Sequence, residues 1–181
     1  VRKSIIESEI TLGRKYPKLT EGVIGDFFQV VLVYKDYSIK IDRLLVYSDM
    51  SIKILDYKFK DADPSTWASG SYWKYGYWIQ AVLYSHVTKM LLNPNIRFRG
   101  FEFVIGSRSN PEKSTIVIHP KQVDDLLHND FMYDSGYMIK SIETLVGELA
   151  WHREKKIWDM SFDKYMNGNK DIPNIPKKMY L

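Results

Sequence analysis

The first third of the chain places its hydrophobic side chains at helical spacing and then at strand spacing. Residues 2 to about 15 put Ile5, Leu12 and Tyr16 on one side of a helix, and Pro17 ends that helix. Two segments rich in β-branched and aromatic residues follow, FFQVVLVY and SIKIDRLLVY, with a turn at residues 35–36 between them. A third segment, SIKILDYKFK, comes after a turn at residues 48–51. The pattern predicts one helix followed by a three-stranded antiparallel meander.

The middle of the chain returns to helical spacing. Residues 69 to 92 predict one long aromatic helix, which stops before Asn93 and Pro94. Two more strands are predicted in FEFVIGS and STIVIHP, and a further helix from Tyr137 to about Trp158. The tail NGNKDIPNIPKKMYL contains too many prolines for regular structure. We therefore expect an α/β fold, with a mixed central sheet that holds the meander and is flanked by helices.

Composition narrows the class of protein. The chain has 181 residues, 45% of them hydrophobic, which suits one core and a single domain over residues 1–181. The net charge of +4 is compatible with a polyanionic partner. The lack of cysteine excludes disulfides and thiolate metal sites, so that any metal must use oxygen or histidine ligands. No apolar run approaches the roughly 18 residues of a membrane span, the N-terminus lacks a signal-peptide pattern, and we expect a soluble, intracellular protein without a membrane partner. The chain starts at Val1 instead of methionine, which is consistent with truncation of its front.

The central hairpin carries the candidate chemistry. Asp56 and Lys58 alternate along the third predicted strand and so share one face. Asp42, on the preceding strand, shares that face if the loop has an odd length, and a loop of residues 49–51 would set it opposite Lys58 and diagonal to Asp56. Two carboxylates with the backbone carbonyl of Tyr57 would suit Mg²⁺. The alternative is that Asp42 forms an ordinary exposed ion pair with Arg43 or Lys58.

These residues resemble a known nuclease signature. The stretch IDRLLVYSDMSIKILDYK is similar to the PD-(D/E)XK motif, with Asp42, Asp56 and Lys58 at its defining positions. Downstream, QAVLY resembles the Gln-X-X-X-Tyr motif of the RecB-like branch, with Gln80 and Tyr84 on one helix face. The sequence around these motifs, YWKYGYWIQAVLYSHVTKML followed by FEFVIGS, is most similar to the exonuclease VIII type of phage recombination nuclease.

The resemblance implies a fold and an activity. The fold would be a restriction-endonuclease-like core. The activity would be Mg²⁺-dependent DNA hydrolysis, with Mn²⁺ as a substitute, by an exonuclease acting at DNA ends in recombination, repair or phage DNA processing. The protein would work in the cytoplasm of a bacterial or phage-infected cell, as a homo-oligomer or with a recombination partner. The alternatives are a catalytically impaired DNA-end binding or assembly module of the same fold, and a PD-(D/E)XK endonuclease.

The resemblance also implies a further metal ligand on the opening helix. Relatives usually carry histidine or glutamate there, and no histidine precedes His86 in this chain. Glu9 lies in the helical seam with Leu12 and should face the sheet, whereas Glu7 lies on a neighbouring side. Glu9 is therefore the first candidate and Glu7 the second. The alternative is that both are solvated acids and that the ligand lies upstream of Val1.

The candidate DNA contacts are aromatic and basic. Trp73 and Tyr77 precede Gln80 on the same face of the predicted helix and can stack on bases at a DNA end, although core packing is the commoner fate of such residues. Basic side chains that can bind phosphate are Arg97, Arg99 and Arg108. They would need to lie together on one face, because scattered surface charges usually only bind water.

Overall fold

The computed structural model of the protein describes residues 2–60, 64–107, 109–119, 121–132 and 138–158. The proline-rich tail, predicted to be irregular, lies outside the described residues. Arg108, a predicted DNA contact, lies outside them as well. The chain divides into two compact units, Val1–Lys121 and Gln122–Leu181. The interpretation of the whole chain as one domain remains a prediction.

The first unit is built on a mixed sheet of five strands in sequence order. Helix α1 spans Arg2–Lys15, and strands β1 (Val23–Tyr34), β2 (Tyr37–Tyr47) and β3 (Ser51–Lys60) form the antiparallel meander. Strand β4 (Arg97–Ser107) is parallel to β3, and β5 (Thr115–Ile118) is antiparallel to β4. The predicted α/β class, the meander and the two later strands are confirmed.

Each face of this sheet carries a helix. On one face, Leu12 of α1 is buried with four side chains of β2, β3 and β4, namely Leu45, Tyr47, Leu55 and Val104. Full burial of a leucine contributes roughly 1.5–3 kcal/mol, so this seam holds α1 in place. On the other face lie Ile54, Phe101 and Phe103, which alternate with the first set along their strands. The helix that connects β3 to β4 packs on this second face.

That connecting helix is broken, and the prediction of one continuous helix over residues 69–92 is wrong. A π-helical turn, Trp67–Ser71, leads into the short helix α2 (Tyr72–Lys74), and helix α3 begins at Tyr77 and ends at Leu91. Gly76 lies between them with a φ of 66°, in the left-handed region. A residue in that region cannot continue a right-handed helix, and glycine adopts it without a steric penalty. The break separates α2 from α3 and lets the two helices take different directions.

The second unit is small. A 3₁₀ segment at Lys121–Leu127 is followed by the two-stranded hairpin β6 (Phe131–Met132) and β7 (Met138–Ile139), and by helix α4 (Ile142–Lys155). The hydroxyl of Ser141 caps α4 by accepting a hydrogen bond from the Thr144 N–H at 3.2 Å. The helix therefore begins later than the predicted Tyr137, because residues 138–139 pair as a strand. No described helix has the length and apolar character needed to cross a membrane.

Candidate active site

The candidate site centres on Asp56, whose carboxylate is only 3% exposed. The Gln80 side-chain amide donates a hydrogen bond from Nε2 to Asp56 Oδ2 at 2.5 Å. The Lys58 ammonium contacts Asp56 Oδ1 and donates to Gln80 Oε1 at 3.1 Å. The three side chains form a closed network on one face of the sheet. The structure therefore brings together three of the residues that the motifs indicated.

Strand alternation and the path of α3 place this network. Asp56 and Lys58 point to the same face of β3, where their neighbours in β4 are Phe103 and Ile105. Helix α3 covers this face and presents Gln80 at the end of its first turn. The network therefore depends on the parallel β3–α3–β4 connection.

Asp42 lies at the point where pairing between β2 and β3 ends. The ladder runs from Tyr47–Ser51 to Arg43–Leu55, so the turn consists of residues 48–50. The expected odd loop length is confirmed, but this register continues toward Asp42 opposite Asp56, and the predicted position opposite Lys58 is wrong. The reason is that Ser51 already belongs to β3.

Two hydrogen bonds hold the Asp42 carboxylate. The backbone N–H of Tyr57 donates to Asp42 Oδ2 at 3.0 Å, and Gln29 Nε2 donates to Oδ1 at 3.3 Å. The carboxylate therefore bonds to the backbone next to Asp56. It is close enough that its negative charge raises the pKa of Asp56.

The charges and acceptor atoms of the cluster are compatible with a bound cation. Burial is the main cause that raises the pKa of Asp56 above its ordinary value, and the ion pair with Lys58 opposes it. Asp56 Oδ1 is buried and forms no hydrogen bond of acceptable geometry, although the Lys58 ammonium contacts it. The cluster holds two carboxylates but only one ammonium, which contacts Asp56, and the buried Asp56 Oδ1 accepts no hydrogen bond. These donors fit a hard cation such as Mg²⁺.

The structure does not bring Glu9 to this cluster. A Glu9 carboxylate oxygen lies 3.9 Å from Arg43 Nη1, and Arg43 Nη1 also donates to the phenol oxygen of Tyr57 at 2.7 Å. Because Tyr57 alternates with Asp56 and Lys58 in β3, its phenol points to the opposite face of the sheet. Glu9 therefore faces the sheet, as expected, but on the other side from the candidate site. Glu7 is exposed on the same helix.

Arg43 pairs with residues other than Asp42, the partner considered in the sequence analysis. Its guanidinium forms a bidentate ion pair with Asp26, with Nε 2.9 Å from Oδ1 and Nη2 2.8 Å from Oδ2. The hydrogen bond to Asp26 is the main cause that raises the pKa of Arg43. The alternative of an ion pair between Asp42 and Arg43 is therefore wrong, since Arg43 pairs with Asp26 of β1 instead. This leaves the Asp42 carboxylate to the Tyr57 N–H and Gln29.

Of the two tyrosines predicted for the site, Tyr77 lies against the cluster. The Tyr77 ring stacks on Trp67 at 5.2 Å between centroids and lies 5.0 Å from Lys58 Nζ. Tyr84, one turn beyond Gln80, packs edge-on against Phe101 at 6.0 Å. Trp73 instead belongs to α2, where its ring contacts Tyr72 and Trp78. The expectation that Trp73 continues the face of Tyr77 is wrong, because Gly76 breaks the helix between them.

Arg97 and Arg99 lie at the other end of the sheet. Both bind Asp49 in the turn between β2 and β3, at 2.5 Å and 2.9 Å, and the Arg99 guanidinium stacks 3.7 Å above the Tyr47 ring. Parallel pairing sets Arg97 beside Ser51, five residues or about 17 Å along β3 from Asp56. These two arginines do not line the candidate site. Two cavities, of about 310 and 380 Å³, also lie away from Asp56, one against Tyr47 and Arg99 and the other against Tyr16 and Glu102.

Three residues of the site were missed from the sequence. Gln29 reaches Asp42 only because β1 pairs with β2 in this register. Phe103 and Trp67 form the apolar wall behind Lys58, with ring centroids 4.7 Å apart and the Lys58 ammonium 5.9 Å from the Phe103 ring. The alternation in FEFVIGS was a usable signal for Phe103, because it places Phe101 and Phe103 on one face. No pattern in the sequence indicated Gln29.

Together the fold and the cluster define an α/β protein with a partly buried Asp–Lys–Gln network and a second carboxylate on the adjacent strand. Neither the scan of protein-family models nor the search of curated proteins found a match to this chain. Over the described ranges, no three or more histidine, aspartate or glutamate side chains gather in a way that could hold a metal ion. The cluster at Asp56 thus contains two carboxylates, those of Asp42 and Asp56.

Proposed function

We propose that the protein is a Mg²⁺-dependent deoxyribonuclease of the PD-(D/E)XK type, with a restriction-endonuclease-like core and a RecB-like or exonuclease VIII-like arrangement of its site. The observation that carries the proposal is the Asp56–Lys58–Gln80 network beside Asp42. These are four of the residues that the two motifs have in common with this chain, and they converge from β2, β3 and α3.

The roles follow from the chemistry of each side chain. Asp42 and Asp56 would hold Mg²⁺ with the Tyr57 carbonyl, and Mn²⁺ would substitute because it also prefers oxygen ligands. The bound ion would supply positive charge that neutralises the scissile phosphate and makes water more acidic. Lys58, which neutralises the buried Asp56 carboxylate, would stabilise negative charge that develops on the phosphate. Gln80 holds both Asp56 and Lys58 in position.

The surroundings of Lys58 favour a DNA end as the substrate. The Tyr77 ring lies against the ammonium, and on the same strand Lys60 lies 5.9 Å from the exposed ring of Tyr75. Aromatic rings near ammonium groups suit a splayed strand, since bases stack on rings and phosphates bind cations. We therefore favour an exonuclease that acts in recombination, repair or phage DNA processing, in the cytoplasm of a bacterial or phage-infected cell.

The position of Glu9 favours a second candidate, a DNA-end binding or assembly module of the same fold that has lost activity. Glu9 pairs with Arg43 on the opposite face of the sheet, so the cluster has two carboxylates instead of three. Mg²⁺ is often held by one or two carboxylates together with substrate phosphates, which keeps the catalytic proposal ahead of this one.

The proposal can be tested by digestion of a 5′-labelled linear duplex and a closed circular plasmid, with and without Mg²⁺. The protein is compared with Lys58→Ala and with Lys40→Ala, a matched control because Lys40 is an exposed lysine of the neighbouring strand β2. Removal of one preorganised charge of this kind typically costs about 10²–10³ in rate. We expect metal-dependent loss of the linear duplex, reduced by that factor in Lys58→Ala and unchanged in Lys40→Ala.

Other outcomes would redirect the assignment. Cleavage of the closed circle would indicate an endonuclease. DNA binding without turnover at any divalent metal concentration would favour the binding module. Equal activity of Lys58→Ala and the unsubstituted protein would contradict the site, because the proposed phosphate contact would then be dispensable.

A further inference from the structure

Strand β1 forms one edge of the five-stranded sheet and, apart from a shift of register between Val23 and Gly25, carries little of the usual protection of an edge. Its inner side pairs with β2, and no strand of the described residues pairs with its outer side. Its 12 residues span about 40 Å of backbone. Natural edge strands are usually short or carry lysine or proline to prevent pairing with another chain. β1 contains neither, and its one charged residue, Asp26, is bound to Arg43.

β1 also exposes large apolar side chains on both of its faces. The exposed fractions are 72% for Ile24, 52% for Phe27, 60% for Phe28, 59% for Val31 and 61% for Val33. Phe27 and Phe28 are consecutive and therefore point to opposite faces. The strand at the other edge, β5, is only four residues long, and Ile118 is its one residue in the same exposed class. The apolar surface is thus specific to the β1 edge.

We propose that β1 is a homodimer interface, in which a second copy pairs antiparallel with it to give one sheet with five strands from each copy. A second copy is the occupant that fits, because its own β1 has the same length, the same lack of free charge and apolar side chains on both faces. An antiparallel pairing of identical strands obeys a two-fold axis and makes a self-complementary interface.

The available surface suits such a dimer. Five large apolar side chains at these exposures offer roughly 500 Å², which is more than half of the about 800 Å² that a stable interface buries on each partner. Backbone pairing along the strand adds to this area. The interface would leave the Asp56 cluster open, because that cluster lies two strands away on β3.

The geometry of the dimer has a consequence for the site. A two-fold axis perpendicular to the sheet keeps each face on its own side, so both Asp56 clusters would lie on the same face. Five interstrand steps separate β3 from its copy, which places the two clusters about 24 Å apart in a flat sheet. The dimer does not depend on the proposed nuclease activity, and its test uses no DNA.

The lack of cysteine makes a direct test available. Single-cysteine variants at exposed β1 positions, Phe28→Cys, Val31→Cys and Val33→Cys, are oxidised at high dilution and examined on non-reducing gels, with Ile118→Cys as the matched control on β5. Directly opposed residues of antiparallel strands lie within the Cα separation that a disulfide spans. We expect dimer bands from β1 cysteines, strongest at the position nearest the two-fold axis, and none from Ile118→Cys. Equal bands from all four variants would overturn the proposal, and so would the absence of a dimer band from single cysteines placed in turn at every position of β1.

Sedimentation equilibrium provides the second arm. We expect the unsubstituted protein to sediment as a dimer at micromolar concentration, the double variant Val31→Lys/Val33→Lys as a monomer, and Ile118→Lys as a dimer. A monomeric unsubstituted protein at every concentration would overturn the dimer. If the double lysine variant does not fold, as judged by circular dichroism, the cysteine series still decides.

Discussion

Replacement of Asp56 by asparagine should change how the stability of the metal-free protein depends on pH. Burial raises the pKa of Asp56 in the folded protein, against 3.8 for the free side chain. Between 3.8 and the raised value, the folded state binds more protons at this site than the unfolded state does. The free energy of unfolding therefore falls as the pH rises through that window, and it stays lowered above it.

The size of the effect follows from a single proton. One proton bound in the folded state but not in the unfolded state gives a slope of at most about 1.4 kcal/mol per pH unit. Asparagine keeps the shape of the side chain and can still accept the hydrogen bond from Gln80, but it carries no titrating proton. The stability of the protein, relative to that of Asp56→Asn, should thus decline across the window with a slope up to this limit.

The assay is urea unfolding in the presence of a chelator, at pH steps from below 3.8 to neutral. Asp49→Asn is a control of opposite sign, because hydrogen bonds from Ser51 and Arg99 lower the pKa of Asp49 to about 2. The stability from Asp49 is present above the unfolded pKa and is lost as the pH falls toward 2. A difference between the protein and Asp56→Asn that is flat or rises with pH would refute the reasoning, since the Lys58 charge would then outweigh burial.

Two further predictions concern the metal and the backbone. Mg²⁺ in about 100-fold excess over its dissociation constant should stabilise the protein by about 2.7 kcal/mol, and this gain should vanish in both Asp42→Asn and Asp56→Asn; an unchanged gain, measured by thermal unfolding, would place the ion elsewhere. Gly76→Ala should lower the free energy of unfolding by about 1–2 kcal/mol, because alanine is strained at a φ of 66°. Gly147→Ala should raise it by about 0.5–1 kcal/mol, since Gly147 lies inside α4 with open space around it. Effects of the same sign in the two glycine variants would contradict the assigned backbone conformations.

The meander and the motif residues were predictable because they depend on local patterns. β-Branched and aromatic runs marked β1, β2 and β3, and the polar residues between them marked both turns. Alternation along β3 placed Asp56 and Lys58 on one face. The position opposite Lys58 assigned to Asp42 was wrong because the choice of loop residues decides the register, and neighbouring loops of the same length are equally polar.

The position of Glu9 illustrates a limit of helical periodicity. The spacing correctly predicts that Glu9 lies on the side of α1 that faces the sheet, where Leu12 is buried. It does not state which of the two faces of the sheet α1 covers. Since α1 and α3 pack on opposite faces of the sheet, the two helices contact different side chains of β3.

The placement of Arg97 and Arg99 could have been predicted. A helix that connects β3 to β4 favours a parallel pair, and parallel strands begin at the same end of a sheet. Arg97 near the start of β4 must then lie beside Ser51 at the start of β3, at the end opposite Lys58. Topology alone thus argued against the DNA contact assigned to these arginines.

The two faces of β3 are linked through Tyr57. On the α1 face, Arg43 donates to the Tyr57 phenol while Asp26 holds its guanidinium. The backbone of the same residue donates to Asp42 and carries the carbonyl proposed as a cation ligand. A restraint on the phenol also restrains the peptide to which it belongs. The ion pairs on the α1 face therefore support the candidate site on the other face, because Arg43 positions Tyr57 and Tyr57 positions the Asp42 carboxylate.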